Sequence, residues 1–445
     1  MIWWLRLLPA LALVLGLRAP AAGQDVSFRK ELAPLLHRRC AGCHGEESSK
    51  GGYRLDTFAR LLKTGDSELP PIIPGKPEES ELYRLLIELD PHDRMPQKAN
   101  SLPPHEIALV ERWVREGALY DGGSEDRRLV ELTQETLLQP APRLYSRPAP
   151  VTALTFSPDG KQLIVSGYYE ATLWNLDGTQ LVRRIGGLPE RVNSIAWHPG
   201  GKLLAIGGGS PGMWGTVMLV NLAGDDEVQV LCDLAETVQS VAFSPDGHRL
   251  VAGCGDRTVR VFETSSGKEE RVLKHHADWV QSVAFQAAGK LALSSSRDRT
   301  VRVFDAATGE VESAYQGHST PVTAAAFTPD GARAVSSSGG REVHLWNTRN
   351  GERRSQIKDL SSRVQQLAVG RLGVVASTAD GLIHVYQLSG RHEFVTLVGH
   401  RDQVQALALS PNEQWIASGS QDGEVLLWSV HCGTWVQRWT PSPMR

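Results

Sequence analysis

A valine that opens a short apolar run recurs at Val151, Val192, Val238, Val280, Val322, Val364 and Val404. The intervals are 41, 46, 42, 42, 42 and 40 residues, and the chain ends 41 residues after the last valine. Self-similarity at this period permits few folds, because each unit is too small to bury its own apolar face and must stack on copies of itself. The order within a unit is constant: a first strand, a turn, a second strand, and a third strand that ends in an aromatic residue. The turns read Ser157 to Gly160, Ser244 to Gly247 and Thr328 to Gly331, and the aromatics are Trp174, Phe262, Phe304, Trp346, Tyr386 and Trp428, with Val220 in the second unit. Short strands at regular spacing with turn signals between them predict an all-β domain over residues 151–445, built from seven four-stranded units.

The residues ahead of this array are of another kind. Cys40-Ala41-Gly42-Cys43-His44 is a C-x-x-C-H motif, the arrangement needed for covalent attachment of a c-type haem. Two thiols three positions apart add across the haem vinyl groups, and the imidazole that follows reaches the iron. A thioredoxin-like dithiol would need a surrounding βαβ pattern, and a zinc site would need further ligands. The motif has neither, since Cys232, Cys254 and Cys432 all lie in the repeat array. The opposite iron ligand of such a haem is usually Met or a second His. Apart from Met1, the N-terminal third holds one methionine, Met95, in the turn-like Asp93-Arg94-Met95-Pro96. It is the expected sixth ligand, with His37, His92 and His105 as rivals, and the predicted cofactor is one covalent haem c.

Phe28, Leu32, Leu35 and Leu36 recur at helical spacing and run into Cys40, with Pro34 marking the end of one turn or the start of another. Further helices are expected from Glu78 to Leu86 and after Pro103-Pro104, the latter with Ile107, Val110, Trp113 and Val114 on one face and a stop at Gly117. Residues 24–122 thus form a small all-α domain. Residues 123–150, which contain Pro140, Pro142, Pro148 and Pro150, read as a semi-rigid linker. Residues 1–23 combine Arg6, an apolar run from Leu7 to Leu17 and a small-residue stretch. This is the pattern of a secretory signal peptide, too short to span a bilayer. The mature chain is therefore expected to begin near Gln24, to have no transmembrane span and to be exported to a bacterial periplasm or cell envelope. A net charge of -3 provides no basic field for nucleic acid. With two cysteines on haem, three remain, so no complete set of disulfides is expected.

Two resemblances follow. Phe28, the haem motif with Gly45, Gly51-Gly52-Tyr53-Arg54-Leu55-Asp56, Ile73 to Ser80, Arg94-Met95-Pro96 and Trp113 to Ala118 resemble the mono-haem cytochrome c domain common in planctomycetes and related bacteria. That resemblance implies His44 and Met95 as the haem-iron ligands; Gln97 stands where the family has a second proline. From Val151 onward the chain is similar to WD-repeat proteins, which implies a seven-bladed β-propeller. It also implies a buried structural network of His, Ser, Asp and Trp within a blade. The last unit matches fully with His400, Ser418, Asp422 and Trp428; the fourth keeps His276, Ser294 and Asp298, and the fifth keeps His318 and Trp346 without the Asp.

The residues after each opening valine, Thr152, Asn193, Gln239, Gln281, Thr323, Gln365 and Gln405, are expected to line the propeller channel, and all are neutral. Acid–base or metal chemistry would require His, carboxylate or Lys there, so the propeller reads as a protein-docking platform. Tyr168, Tyr169, Trp214 and Trp279 are candidate partner contacts on one rim, and Trp435 and Trp439 are expected to point the same way on the last strand. The expected function is an exported electron carrier docked to a redox partner. The alternatives are a propeller oxidoreductase that passes substrate electrons to the haem, and a haem-based redox sensor or scaffold.

Overall fold

The computed structural model describes residues 26–45, 48–97, 101–138, 140–176, 180–224, 227–388 and 393–442. The leader expected over residues 1–23 lies outside them. The chain divides into two compact units, Met1–Thr133 and Gln134–Arg445.

In the first unit a single wide turn, Phe28–Leu32, leads into α1 (Ala33–Arg39), followed by α2 (Ala41–His44), α3 (Phe58–Leu61), α4 (Glu81–Ile87) and α5 (Pro104–Arg115). Ser27 starts the series, its hydroxyl accepting the Lys30 amide at 3.1 Å. Pro34 lies in the first turn of α1, where its missing N–H is not required, so the chain changes from wide turn to α-helix there without breaking. Phe28, Leu32, Leu35 and Leu36 are at most 2% exposed. Phe28 is the centre of the core, with ring centroids 5.0 Å from Phe58, 5.5 Å from Trp113 and 5.2 Å from Tyr120. The helix expected from Glu78 begins at Glu81, because Pro77–Glu79 form a separate 3-10 turn. Buried Ser80 holds that junction, accepting from the Ile73 amide at 2.8 Å and donating to the Lys76 carbonyl at 2.9 Å. Gly117, at φ 102°, ends the chain segment leaving α5 in a conformation that disfavours other residues.

The stretch expected to be a linker contains structure at both ends. Helix α6 (Leu129–Leu137) crosses the unit boundary, and its Leu129 and Leu132 are buried in the core of the first unit. Farther on, Tyr145 is 4% exposed and donates from its hydroxyl to Glu170 at 2.7 Å, while Arg184 donates to the Pro142 carbonyl at 2.6 Å. The prolines suggested an extended connector, but apolar side chains between them find partners.

The second unit is all-β. Among the described residues it contains one seven-stranded sheet, A (Leu154–Leu234), and five four-stranded sheets: B (Val238–Leu273), C (Val280–Tyr315), D (Val322–Ile357), E (Val364–Leu397) and F (Val404–Trp439). Sheet A is continuous because the strand Gln180–Trp197 pairs along its first part with Tyr168–Asn175 and along its second with Leu203–Ser210. The expected aromatic positions are register-equivalent: Leu163 faces Trp174, Leu204 faces Val220, Leu250 faces Phe262, Ala292 faces Phe304, Ala334 faces Trp346, Val374 faces Tyr386 and Ile416 faces Trp428. Apolar clusters lie between successive sheets, and one joins Val151, Leu154 and Phe156 to Ala406, Ala417 and Leu427 of sheet F.

A β-bulge follows the opening valine from Val192 onward, between Val238 and Ser240 or Val322 and Ala324, for example. The neutral residue after the valine is the extra residue of the bulge, and a bulge re-aims its side chain. Thr152 bonds to the Val192 carbonyl, Asn193 Nδ2 donates to the Val238 carbonyl at 2.9 Å, and Thr323 Oγ1 donates to the Val364 carbonyl at 3.2 Å. These side chains therefore tie one unit to the opening valine of the next.

Candidate haem-binding site

The site begins with helix geometry. Cys40 closes α1 through its amide, which donates to the Leu36 carbonyl at 2.9 Å, and its own carbonyl accepts from Cys43 at 3.1 Å and His44 at 3.0 Å. One turn thus presents both thiols and the imidazole within i, i+3 and i+4. Gly45 is required after it, because a Cβ there would stand 2.5 Å from the Ala41 carbonyl oxygen.

His44 Nδ1 lies 3.3 Å from the Tyr53 carbonyl oxygen, and the Tyr53 hydroxyl donates to the Leu61 carbonyl at 2.8 Å. A backbone acceptor at Nδ1 orients the ring and leaves Nε2 for a metal. Burial, reinforced by the Glu106 carboxylate and opposed by Arg39, pushes the Cys40 thiol up to about 12. Cys40 is therefore a neutral thiol at physiological pH, unlike the depressed thiolate of a dithiol oxidoreductase. Glu106, only 6% exposed, holds Arg39 through two contacts of 3.1 Å and so fixes the end of α1 against α5.

A cavity of about 330 Å³ is lined by Cys40, Cys43, His44, Met95 and Pro96. Leu55, Pro71, Leu82, Leu85 and Leu86 supply apolar wall, with Lys50, Asp66 and Glu81 also lining it. Met95 is delivered by α4 and the turn after it, its amide donating to the Leu85 carbonyl at 2.9 Å. None of His37, His92 and His105 lines this cavity. His92 and His105 are exposed, and burial lowers the pKa of half-buried His37. Two thiols, an imidazole with one nitrogen tethered, a thioether and leucine walls in one cavity form a donor set that fits a c-type haem.

Residues 40–98 match the family model for planctomycete cytochrome C, and residues 180–221, 228–263, 267–305, 309–347 and 392–429 match the WD domain, G-beta repeat. The chain is a cytochrome-c-like domain fused to a WD-repeat region. The cytochrome match runs from Cys40 past Met95, which indicates a haem-related role for the first unit, and WD repeats indicate protein interactions for the second. A ribosome biogenesis protein BOP1 homolog of Dictyostelium discoideum is 44% identical over 39 residues, 9% of this chain and 5% of that protein. Ribosome biogenesis protein BOP1 of Mus musculus is 43% identical over 56 residues, 10% of this chain and 8% of that protein. The chain thus spans less than a tenth of the curated relatives it matches, a likeness about the size of one repeat.

The WD network forms as the repeat pattern implies, with one difference. In sheet F, Ser418 Oγ accepts from Trp428 Nε1 at 2.7 Å and pairs with His400 Nε2 at 2.6 Å. Asp422 does not bond His400 there, whereas in sheet C Asp298 lies 2.8 Å from His276 Nδ1. The rim candidates divide. Tyr168 is 38% exposed and stacks on Tyr145, Tyr169 is half-buried, and half-buried Trp279 has Arg297 5.1 Å above its ring. Trp214, by contrast, is buried at 6% exposure and cannot serve as an exposed contact; the insertion before it folds back as a hairpin in which Ser210 faces Trp214. Trp435 is 46% exposed, while half-buried Trp439 packs 6.1 Å from Trp174 in the core between sheets A and F.

Among the described residues no helix is long and apolar enough to cross a membrane.

Proposed function

We propose that the protein is an exported mono-haem c-type cytochrome that transfers electrons, and that its WD-repeat region is a closed seven-bladed propeller serving as docking platform for a redox partner. The observation that carries this reading is the meeting of Cys40, Cys43, His44 and Met95 in one cavity. Cys40 and Cys43 would hold the haem covalently, and His44 and Met95 would ligate its iron. A haem held this way would supply one-electron exchange, and ligation by both His44 and Met95 would leave no position for substrate. The Tyr53 carbonyl beside Nδ1 orients the His44 ring and leaves Nε2 for the iron. Leu55, Leu82, Leu85 and Leu86 exclude water, which keeps reorganisation small when charge changes.

Closure of the propeller is supported by the core shared between Val151–Phe156 and sheet F, and by the Val151 amide, which donates to the Ser420 carbonyl at 3.0 Å. Seven register-equivalent pairs support seven blades, the long strand Gln180–Trp197 serving as the outer strand of one and the inner strand of the next. Tyr168, Tyr169 and Trp279 are the proposed partner contacts, and export rests on the leader pattern of residues 1–23.

The test is haem retention and ligation in the exported protein. The haem should resist acidified butanone, and the ferric form should show the weak far-red charge-transfer band of sulfur-to-iron ligation. Met95→Ala should lose the band and admit CO, whereas His92→Ala should do neither. Extraction of the haem, or opening of the site by His92→Ala alone, overturns the assignment.

A further inference from the structure

Sheet D departs from the WD network in a way that leaves two imidazoles wanting a ligand. In sheet C, His276 is satisfied on both nitrogens, by Ser294 Oγ at 2.8 Å and by Asp298 at 2.8 Å. The position four residues after the serine, Asp298 in sheet C, is Gly340 in sheet D. His318 keeps its serine, Ser336, at 2.7 Å, but its Nδ1 is buried without a hydrogen-bond partner. His344, which faces Ser336 across the sheet, stacks on His318 at 4.1 Å, and its Nε2 is likewise buried without a hydrogen-bond partner. The two side chains are only 5% and 1% exposed. A buried polar atom without a partner is unfavourable; His318 Nδ1 has none and His344 Nε2 has only the Glu342 carboxylate at 3.4 Å, so the cluster points to a missing ligand.

We infer that His318 Nδ1, His344 Nε2 and a Glu342 carboxylate oxygen form a binding site for a divalent transition-metal ion of the Zn²⁺ type. These ligand atoms all lie within 4.8 Å of one another. Atoms around a tetrahedral Zn²⁺ with bonds of about 2.1 Å stand about 3.4 Å apart, and His344 Nε2 to Glu342 Oε2 is 3.4 Å. Each ligand is anchored from behind: His318 by Ser336, His344 Nδ1 by the Tyr315 hydroxyl at 2.7 Å, and Glu342 by Gln356. These hydroxyl contacts engage Nε2 of His318 and Nδ1 of His344, so the opposite ring nitrogens are the ones turned toward Glu342. The ring planes differ by 5°, so one ring must tilt to aim its lone pair at the ion. Two imidazoles and one carboxylate suit Zn²⁺ or Cu²⁺, and not the oxygen cages of Ca²⁺ or Mg²⁺. Arg353 and Lys358 oppose a cation here, and Glu342 offsets part of that charge. Sheet F has a related cluster, His400, Asp422 and Glu424, but with a single imidazole. An ion in sheet D would tie the loop carrying His318 to the strand Val343–Asn347, where in sheet C Asp298 ties the His276 loop to the turn before Val301–Asp305.

The test is Zn²⁺ titration of the full-length, haem-loaded protein after EDTA treatment, by calorimetry against a competing chelator. His344→Leu is the informative variant, because Leu426 occupies the equivalent position opposite Ser418 in sheet F and the change should fold. The wild type should take up one Zn²⁺ per chain more than His344→Leu, and Glu342→Gln should weaken that ion by about 10-fold or more. X-ray absorption should show a nitrogen/oxygen shell. Equal uptake by wild type and His344→Leu, no stoichiometric uptake of Zn²⁺ or Cu²⁺, or a sulfur shell at about 2.3 Å would each overturn the site.

Discussion

His400 should make the WD-repeat region acid-sensitive in a way that one substitution reverses. The imidazole is 9% exposed, pairs with Ser418 Oγ at 2.6 Å through Nε2, and has no hydrogen-bond partner at Nδ1. Burial depresses its pKa to about 4, with Asp422 opposing and Arg438 adding to the shift. In the unfolded chain the group titrates near 6.5. Above pH 6.5 neither state is protonated and the full stability is present. Below it the unfolded chain binds a proton that the folded state refuses until about pH 4, so stability falls across that window. At about 1.36 kcal/mol per pH unit, the loss by pH 4.5 is about 2.5 kcal/mol. His400→Gln removes the titration and weakens one buried hydrogen bond, at a cost of about 1 kcal/mol. The wild type should therefore be the more stable protein at pH 7 by about 1 kcal/mol and the less stable at pH 4.5 by about 1.5 kcal/mol. Urea unfolding followed by tryptophan fluorescence, with Trp428 only 1% exposed beside the site, reads both. A wild type that keeps its lead at pH 4.5 would refute the burial of His400 as a neutral ring.

Phe28→Ala should destabilise the first unit by about 3–5 kcal/mol, because it empties the space between three aromatic rings; denaturant unfolding followed by fluorescence of Trp113 checks it, and a loss under about 1 kcal/mol would contradict the packing. Asp298→Ala should cost about 2–3 kcal/mol at pH 7 by breaking bonds to His276, Ala277 and Thr300. Burial raises the Asp298 pKa, but these bonds prevail and hold it well below the usual carboxylate range. The wild-type advantage is therefore present above about pH 4 and fades as pH falls further, which thermal melts across that range would detect. If the proposed docking role holds, Tyr168→Ala with Trp279→Ala should weaken capture of the partner protein by about 2 kcal/mol or more while the first unit is left unchanged; unaltered partner affinity would move the docking face elsewhere.

Much of the candidate site was legible because its chemistry is local. Cys40, Cys43 and His44 fall within one helical turn, so spacing alone brings them together. The opening valines and the aromatics at the third-strand ends were legible for a similar reason, since a period of two sets which face a strand residue occupies and the turn sets the register. What the sequence obscured was burial decided by distant segments. Trp214 reads as an exposed loop aromatic until its hairpin folds back, and Leu129 and Leu132 read as linker until they meet the core around Phe28. Met95 could be named by elimination, but only the packing of α4 and its following turn carries it to the cavity that holds His44. His344 gave no signal at all, because its meaning depends on the missing aspartate at Gly340 and on a stacking partner in another strand. The sequence by itself determined what could be settled within a helical turn or a repeat period, where covalent spacing dictates geometry. Tertiary structure alone decided which remote side chains share a wall, because those contacts depend on how packed elements bury one another's surface.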